Sequence, residues 1–288
     1  MVGAVKQSRA SITAMFVALG RGLGTDDATA ERPAARLVPG PLSWTLDAMH
    51  RLGPLSAPAR LAARFATAGM VDHVTMRTQA IDAAVDGAID RGVQQLVILG
   101  AGLDARAWRL PQLRDVVVFE LDHPASQAVK RDKIGELQSH ARDVRFVSID
   151  FERESVGDRL HALAHDAHRP TMWIWEGVTP YLQPEAIDGT LADVAARSAA
   201  GSTLAMTYAV DQLPGPRLLH APIRSAFAVL GEPLRGQMST ARAAARLADA
   251  GFSLDDDTGS ADWAARFGGM ARLARPFSSE RLAVGTKA

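Results

Sequence analysis

Five strand-like runs recur between residues 93 and 208 at similar spacing. They are VQQLVILG (93–100), DVVVFELD (115–122), VRFVSID (144–150), TMWIWEG (171–177) and STLAMTY (202–208). Short apolar runs bounded by turn residues suit strands buried on both faces. The segments 124–140, 152–166 and 184–199 between them carry helical patterning. Strands alternating with helices imply parallel pairing through right-handed crossovers. Residues 1–90 read as helical, punctuated by Pro and Gly at 39–41 and 53–58. After 209 the rhythm breaks: QLPGPRLLHAP is irregular, 222–231 and 239–250 read as helices, and GFSLDD (251–256) with ERLAVGT (280–286) suits an antiparallel strand pair closing the sheet. The expected organisation is an N-terminal helical cap over 1–90 and an α/β, doubly wound core over 91–288. A helical lid is inserted at about 211–240.

Composition narrows the function. The chain has 288 residues, a formal net charge of zero and no cysteine. A neutral balance gives no reason to expect nucleic acid or an anionic membrane as partner. Without cysteine there are no disulfides, thiolate metal sites or cysteine nucleophile, which fits a cytoplasmic location. No apolar run approaches the roughly 20 residues that span a bilayer. Lys6 and Arg9 before SITAMFVALG loosely imitate a signal peptide, but Arg21, Asp26 and Asp27 interrupt it. The same segment makes an amphipathic helix with Ile12, Phe16, Leu19 and Leu23 on one side. His161 and His165 have zinc-ligand spacing with no third ligand beside them, so no metal is expected.

The first strand ends in a glycine loop, LVILGAGLDARAWRL (96–110). In open α/β sheets ligands sit beyond the carboxyl ends of the strands, and Gly100 and Gly102 let the backbone approach one. Asp122 ends the second strand, twenty residues past Gly102, where an acid can accept from ribose hydroxyls. Glu120 lies on the same face, deeper in the strand. The loop lacks the third glycine of a dinucleotide fingerprint, since position 105 is Ala. Asp104 would also repel a pyrophosphate. An adenosyl ligand without phosphates and with an amino-acid tail suits the loop better, which points to S-adenosyl-L-methionine.

With those residues in place, the chain resembles the leucine carboxyl methyltransferase family of class I S-adenosylmethionine-dependent methyltransferases. Its nearer branch is the bacterial small-molecule and polyketide O-methyltransferases. The likeness is carried by RTQAID (77–82), VILGAGLDARAWRL (97–110), VFELDHP (118–124) and WEGVTPYLQPEAI (175–187), with weaker echoes in SIDFERE (148–154) and LGEPLRG (230–236). The resemblance implies a Rossmann-like, mostly parallel sheet of seven strands, the last inserted antiparallel, under a helical lid. It implies that Arg77 binds the cofactor's carboxylate and that Gly100, Ala101 and Gly102 face the cofactor through backbone. It also implies Asp122 on the ribose, Asp150 and Phe151 on the adenine, and Glu176 on the ammonium. Ala105 and Trp108 stand where relatives carry Thr and Tyr or Phe. The family's upstream lysine has no clear match.

Each of these residues also has a plainer reading. Asp104 and Arg106 suit a salt bridge bracing the loop, and Arg109 a solvated helix residue. Trp173 and Trp175 suit core, with Trp175 able to edge the pocket, and Tyr181 suits packing. Arg77 could be an ordinary helix-face arginine. His73 lies one turn before Arg77 and could be a general base or a satisfied polar residue, and His220 in the lid carries the same two readings. His161, His165 and His168 read as a solvated face. The expected reaction is methyl transfer to a carboxylate or hydroxyl of a small, largely apolar molecule, a polyketide or other secondary metabolite. The oligomeric state stays open. The competing functions are protein C-terminal carboxyl methylation, NAD-dependent oxidoreduction, and binding without catalysis.

Overall fold

In a computed structural model the described residues are 12–26, 28–38, 40–210, 234–268 and 277–288. Seven strands form one sheet in the order β3-β2-β1-β4-β5-β7-β6. They are β1 (Gln95–Leu99), β2 (Val117–Asp122), β3 (Asp143–Ser148), β4 (Met172–Trp175), β5 (Thr203–Ala209), β6 (Phe252–Gly259) and β7 (Glu280–Lys287). β1 to β5 pair in parallel, and β7 runs antiparallel between β5 and β6. The order reverses beside β1, which puts the switch point where β1 meets β4, next to the glycine loop.

The alternation of side chains divides the core in two. Val97, Leu99, Phe119, Leu121, Trp173, Trp175, Leu204 and Met206 face helices α8 (Val156–Ala162), α9 (Pro184–Ala196) and α10 (Thr240–Asp249). Leu96, Ile98, Val118, Ile174 and Ala205 face α5 (Met70–Asp90) and α11 (Ser260–Phe267), which contributes Trp263. The inner strands β1, β2, β4 and β5 therefore read as largely apolar runs, because both of their faces are covered. Trp173 and Trp175 are fully buried core residues.

The N-terminal segment does two jobs. α5 packs on the sheet through Met76, Ala80, Ile81 and Val85. The shorter helices α1 (Ile12–Leu23), α2 (Arg32–Leu37), α3 (Pro41–Leu52) and α4 (Ala57–Ala66) precede it. Ala18, Leu23, Ala34, Leu37 and Leu46 form a third core that also takes in Leu103 and Ala105 of the glycine loop. The cap is thus bonded to the loop by apolar packing.

Two helices are shorter than their sequence pattern. α7 (Pro124–Ile134) stops at Gly135, which takes φ +52°. α8 begins only after Ser155, whose hydroxyl accepts from the Asp158 amide at 3.1 Å. His165, read as solvated, is 4% exposed: its ring sits between Phe119 and Trp173 and bonds Thr171 at 3.0 Å. Burial holds its pKa down at about 4, with the Arg197 charge adding to the effect. Residues 211–233, which include His220 and most of the expected lid, lie outside the described residues.

Ile174 sits mid-strand on β4 with neighbours on both sides and no exposure. Ile174→Ala should cost about 2–5 kcal/mol of unfolding free energy, read from the urea midpoint at unchanged slope.

Candidate functional site

The glycine loop turns sharply after β1. Gly100 takes φ +68° and Gly102 φ +47°, in the left-handed region. A Cβ on Gly100 would overlap Val178 Cγ2, so the loop after β4 presses directly on the loop after β1. The amides of Gly100 and Ala101 both donate to the Leu121 carbonyl, at 2.8 and 2.9 Å. Those bonds tie the loop to the end of β2, where Asp122 waits.

Asp122 is held by backbone alone. Its Oδ2 accepts from the Gly102 amide, and its Oδ1 from the His123 amide at 2.6 Å. Among the described residues it has no salt-bridge partner. Burial raises its pKa, and the two amide bonds only partly offset this. Each oxygen keeps a second acceptor site, enough for two hydroxyls.

The charge lies on the other side of the loop. Glu176, just past β4, is reached by three guanidinium groups from three segments. Arg21 of α1 donates to it at 2.6 Å, Arg77 of α5 through Nε at 3.1 Å and Arg106 at 2.9 Å. Burial would raise the Glu176 pKa, but these three cations outweigh it and hold it well below the ordinary carboxylate range. The backbone beside it is pinned to β5. The Gly177 amide donates to the Thr207 hydroxyl, and the Thr179 hydroxyl to the Thr207 carbonyl, both at 2.8 Å.

Arg106 is fully buried. Its guanidinium donates to Asp104, to Asp82 at 2.8 Å and to Glu176. Its amide also donates to Asp104 Oδ1 at 2.7 Å. Asp104 and Arg106 thus act as braces inside the loop. Burial opposes the ionised Asp104, yet Arg106 and Arg21 hold its pKa below the ordinary value. Arg109, read from sequence as solvated, is instead paired with Glu31 at 3.0 Å and Asp82 at 2.5 Å. The partners that bury it lie 78 and 27 positions earlier in the chain, so no local pattern shows them.

Arg77 is 5% exposed. Besides Glu176 it donates from Nη1 to both oxygens of Glu280, at 2.8 and 2.7 Å. Glu280, the first residue of β7, also meets His73 Nε2 at 2.6 Å. His73 Nδ1 is 3.1 Å from the Ser260 hydroxyl, and the ring stacks on Phe277. Both ring nitrogens of His73 are therefore engaged within the protein. Burial opposes the ionised Glu280, but Arg77 and His73 bring its pKa down to about 2.

The third group lies after β3. Asp150 caps its own turn, accepting from the Glu152 amide at 3.1 Å, with Arg153 at 3.6 Å. Phe151 packs against the edge of the first core and lines a groove of about 680 Å³ with Arg153, Ala186, Thr190 and Arg235.

The structure thus gathers Arg77 and Glu176 at one end of the loop and Gly102 and Asp122 at the other. Four members of the charged cluster were not picked out as site residues by sequence reasoning: Arg21, Glu31, Asp82 and Glu280. Asp82 lies within the RTQAID stretch and was in plain view. Arg21 and Glu280 stand 155 and 203 positions from their partners, beyond the reach of any spacing rule. Among the described residues no group of His, Asp and Glu is arranged to hold a metal, and no helix is long and apolar enough to cross a membrane.

Arg106→Ala should cost about 3–5 kcal/mol, because it strands buried carboxylates. Carboxylates with depressed folded pKa values stabilise above their unfolded value and lose that contribution as pH falls through the folded one. For Glu280 that window runs from the ordinary 4.5 down to about 2. Acid titration followed by circular dichroism should show the wild type losing stability there. Arg106→Ala should unfold at higher pH, since Asp104 and Glu176 then protonate earlier.

A family profile described as leucine carboxyl methyltransferase matches residues 14–195. A curated relative from Mycolicibacterium gilvum, named "Putative S-adenosyl-L-methionine-dependent methyltransferase", is 43% identical over 156 residues, covering 54% of this chain and 48% of the relative. A relative of the same name from Mycobacterium ulcerans is 36% identical over 212 residues, covering 70% and 67%. The matched stretch spans about half the length of the first and about two thirds of the second. Among solved structures, a duf574 family protein from Streptomyces avermitilis superposes with a TM-score of 0.61 at 17% identity, over 97% of this chain and 98% of that one. A Thermobifida fusca protein described as a "putative methyltransferase" gives 0.59 at 17% identity, over 99% and 97%. These two show the fold, and it is the Rossmann-like methyltransferase sheet expected above. The profile covers more than half of the chain: it belongs to the leucine carboxyl methyltransferase family.

Proposed function

We propose that this protein is an S-adenosyl-L-methionine-dependent O-methyltransferase acting on a carboxylate or hydroxyl of a small, largely apolar molecule. One observation carries the cofactor assignment. Asp122, at the end of β2, is fixed by the amides of Gly102 and His123 with no salt-bridge partner among the described residues, beside a loop opened by two left-handed glycines. A buried carboxylate left with free acceptor sites suits neutral hydroxyls, as on a ribose.

The remaining residues take roles around that anchor. Gly100, Ala101 and Gly102 offer backbone to the cofactor, Arg77 its guanidinium to the carboxylate, and Glu176 its carboxylate to the ammonium. Asp150 and Phe151 flank the adenine, Phe151 from the wall of the groove after β3. The arginines and carboxylates of the cluster alternate, which suits a zwitterionic tail better than a net anion.

When bound, the cofactor supplies an electrophilic methyl on a sulfonium. The protein's part is alignment and exclusion of water, which can contribute on the order of 7–11 kcal/mol. An acceptor carboxylate attacks the methyl carbon already ionised, while a hydroxyl must lose its proton to a base. The two bonds on His73 favour the first case. His220 keeps its reading as a candidate base on the lid side.

Calorimetry with S-adenosylhomocysteine tests the assignment. Asp122→Ala should weaken binding about tenfold or more, roughly 1.4 kcal/mol. Unchanged affinity would sink it, as would thermal stabilisation by NAD but not by S-adenosylhomocysteine. A panel of fatty, aromatic and polyketide acids and alcohols, scored by methyl transfer, then identifies the acceptor class. Turnover only with a peptide C-terminus would replace the small-molecule reading.

A further inference from the structure

We propose that Glu280, backed by His73 and Ser260, is a positioning residue that fixes Arg77 for the carboxylate of the cofactor's amino-acid tail. The inference rests on the cofactor reading above.

Glu176 cannot serve both the cofactor's ammonium and Arg77 fully, because three guanidinium groups already share it. An arginine buried this deeply needs a second anion, or its charge is left uncompensated when Glu176 turns to a ligand. Glu280 supplies it. Both of its oxygens take Arg77 Nη1, at 2.8 and 2.7 Å, which leaves the Nη2 end of the guanidinium uncommitted to Glu280. Nη2 lies 2.8 Å from a single Glu176 oxygen, so at least one of its two N–H groups is free of both glutamates.

Glu280 is itself immobilised. His73 holds its Oε2 at 2.6 Å, and Ser260 holds His73 from the far side at 3.1 Å. The ring is clamped between Phe277 and Trp263, with centroids 5.0 and 5.7 Å away. An Nε2–H tautomer satisfies the chain throughout, donating to Glu280 and accepting from Ser260. The path Ser260–His73–Glu280–Arg77 thus links the start of α11 and the start of β7 to the N-terminal half of α5. A guanidinium held this way is preorganised, so less is lost on binding.

The test compares S-adenosylhomocysteine with 5′-methylthioadenosine, which keeps the adenosine and sulfur but lacks the amino-acid tail. Glu280→Gln should weaken S-adenosylhomocysteine about tenfold by calorimetry and shift 5′-methylthioadenosine by less than about twofold. The double variant Arg77→Lys/Glu280→Gln should bind S-adenosylhomocysteine no worse than Arg77→Lys alone, because Glu280 acts through Arg77. Should Glu280→Gln fold poorly, Ser260→Ala gives the same tail-selective loss at about threefold. Equal losses for both ligands, or unchanged S-adenosylhomocysteine affinity, overturn the proposal while leaving the cofactor assignment intact. A wild type that binds neither nucleoside overturns the cofactor assignment and this proposal with it.

Discussion

The carboxylate of Glu176 sits among Arg21, Arg77 and Arg106, and most of the architecture follows from satisfying that arrangement. A buried carboxylate cannot stay ionised without partners, and each guanidinium comes from a different segment. α1 must lie across the top of the sheet to deliver Arg21, α5 must run beside it to deliver Arg77, and the glycine loop must turn back to deliver Arg106. The arginines then need anions of their own, which Asp82, Asp104 and Glu280 provide. Such a network contributes little net stability over an apolar core, but breaking any member is costly. Its effect is to permit one placement of the cap and one geometry of the loop.

Two kinds of carboxylate stand around the ends of the parallel strands and the start of β7. Glu176, Asp104 and Glu280 are gripped by cations and held below their ordinary pKa. Asp122 is gripped by amides and is raised by burial. The first kind braces, and of these Glu176 can meet a ligand's ammonium only by giving up a bond to arginine. The second is the one with capacity to spare for a ligand. This physical difference separates the two roles more cleanly than residue type or spacing can.

The sheet was legible in the sequence because burial on both faces makes the inner strands β1, β2, β4 and β5 near-continuous apolar runs, and such a run does not depend on distant partners. The antiparallel pairing of β6 with β7 was legible from the patterning after 209, and the insertion of β7 from the family resemblance. Helix ends were read less well, because α7 and α8 are set by Gly135 and Ser155 inside stretches whose pattern continues beyond them. Asp104 and Arg106, two positions apart, were readable as a brace. Arg109 was not readable as ion-paired, nor His165 as buried, because what meets them comes from Glu31 and Asp82 in one case and from Phe119 and Trp173 in the other. Patterning reports a residue's own helix or strand, and only the folded chain reports what is packed on top of it.

The charge pattern also bears on why the loop departs from a dinucleotide fingerprint. A pyrophosphate brings two negative charges and needs unspent donors at a helix N-terminus. Here the helix after the loop is one short turn (Arg106–Arg109), and Asp104 already accepts from its first amide. The nearby guanidinium groups are committed to Asp82, Asp104, Glu176 and Glu280. Two phosphates would meet an anion where a third glycine would otherwise open the backbone. A tail carrying one positive and one negative charge can instead exchange places with the internal Arg77–Glu176 pair, carboxylate toward the arginine and ammonium toward the glutamate. The exchange replaces one internal ion pair with two to the tail, and the tail itself adds no net charge; the cofactor's single net charge sits on its sulfonium. The absent glycine and the early acid then fit one arrangement, a loop stiffened by its own ion pairs beside a ligand that carries no phosphate.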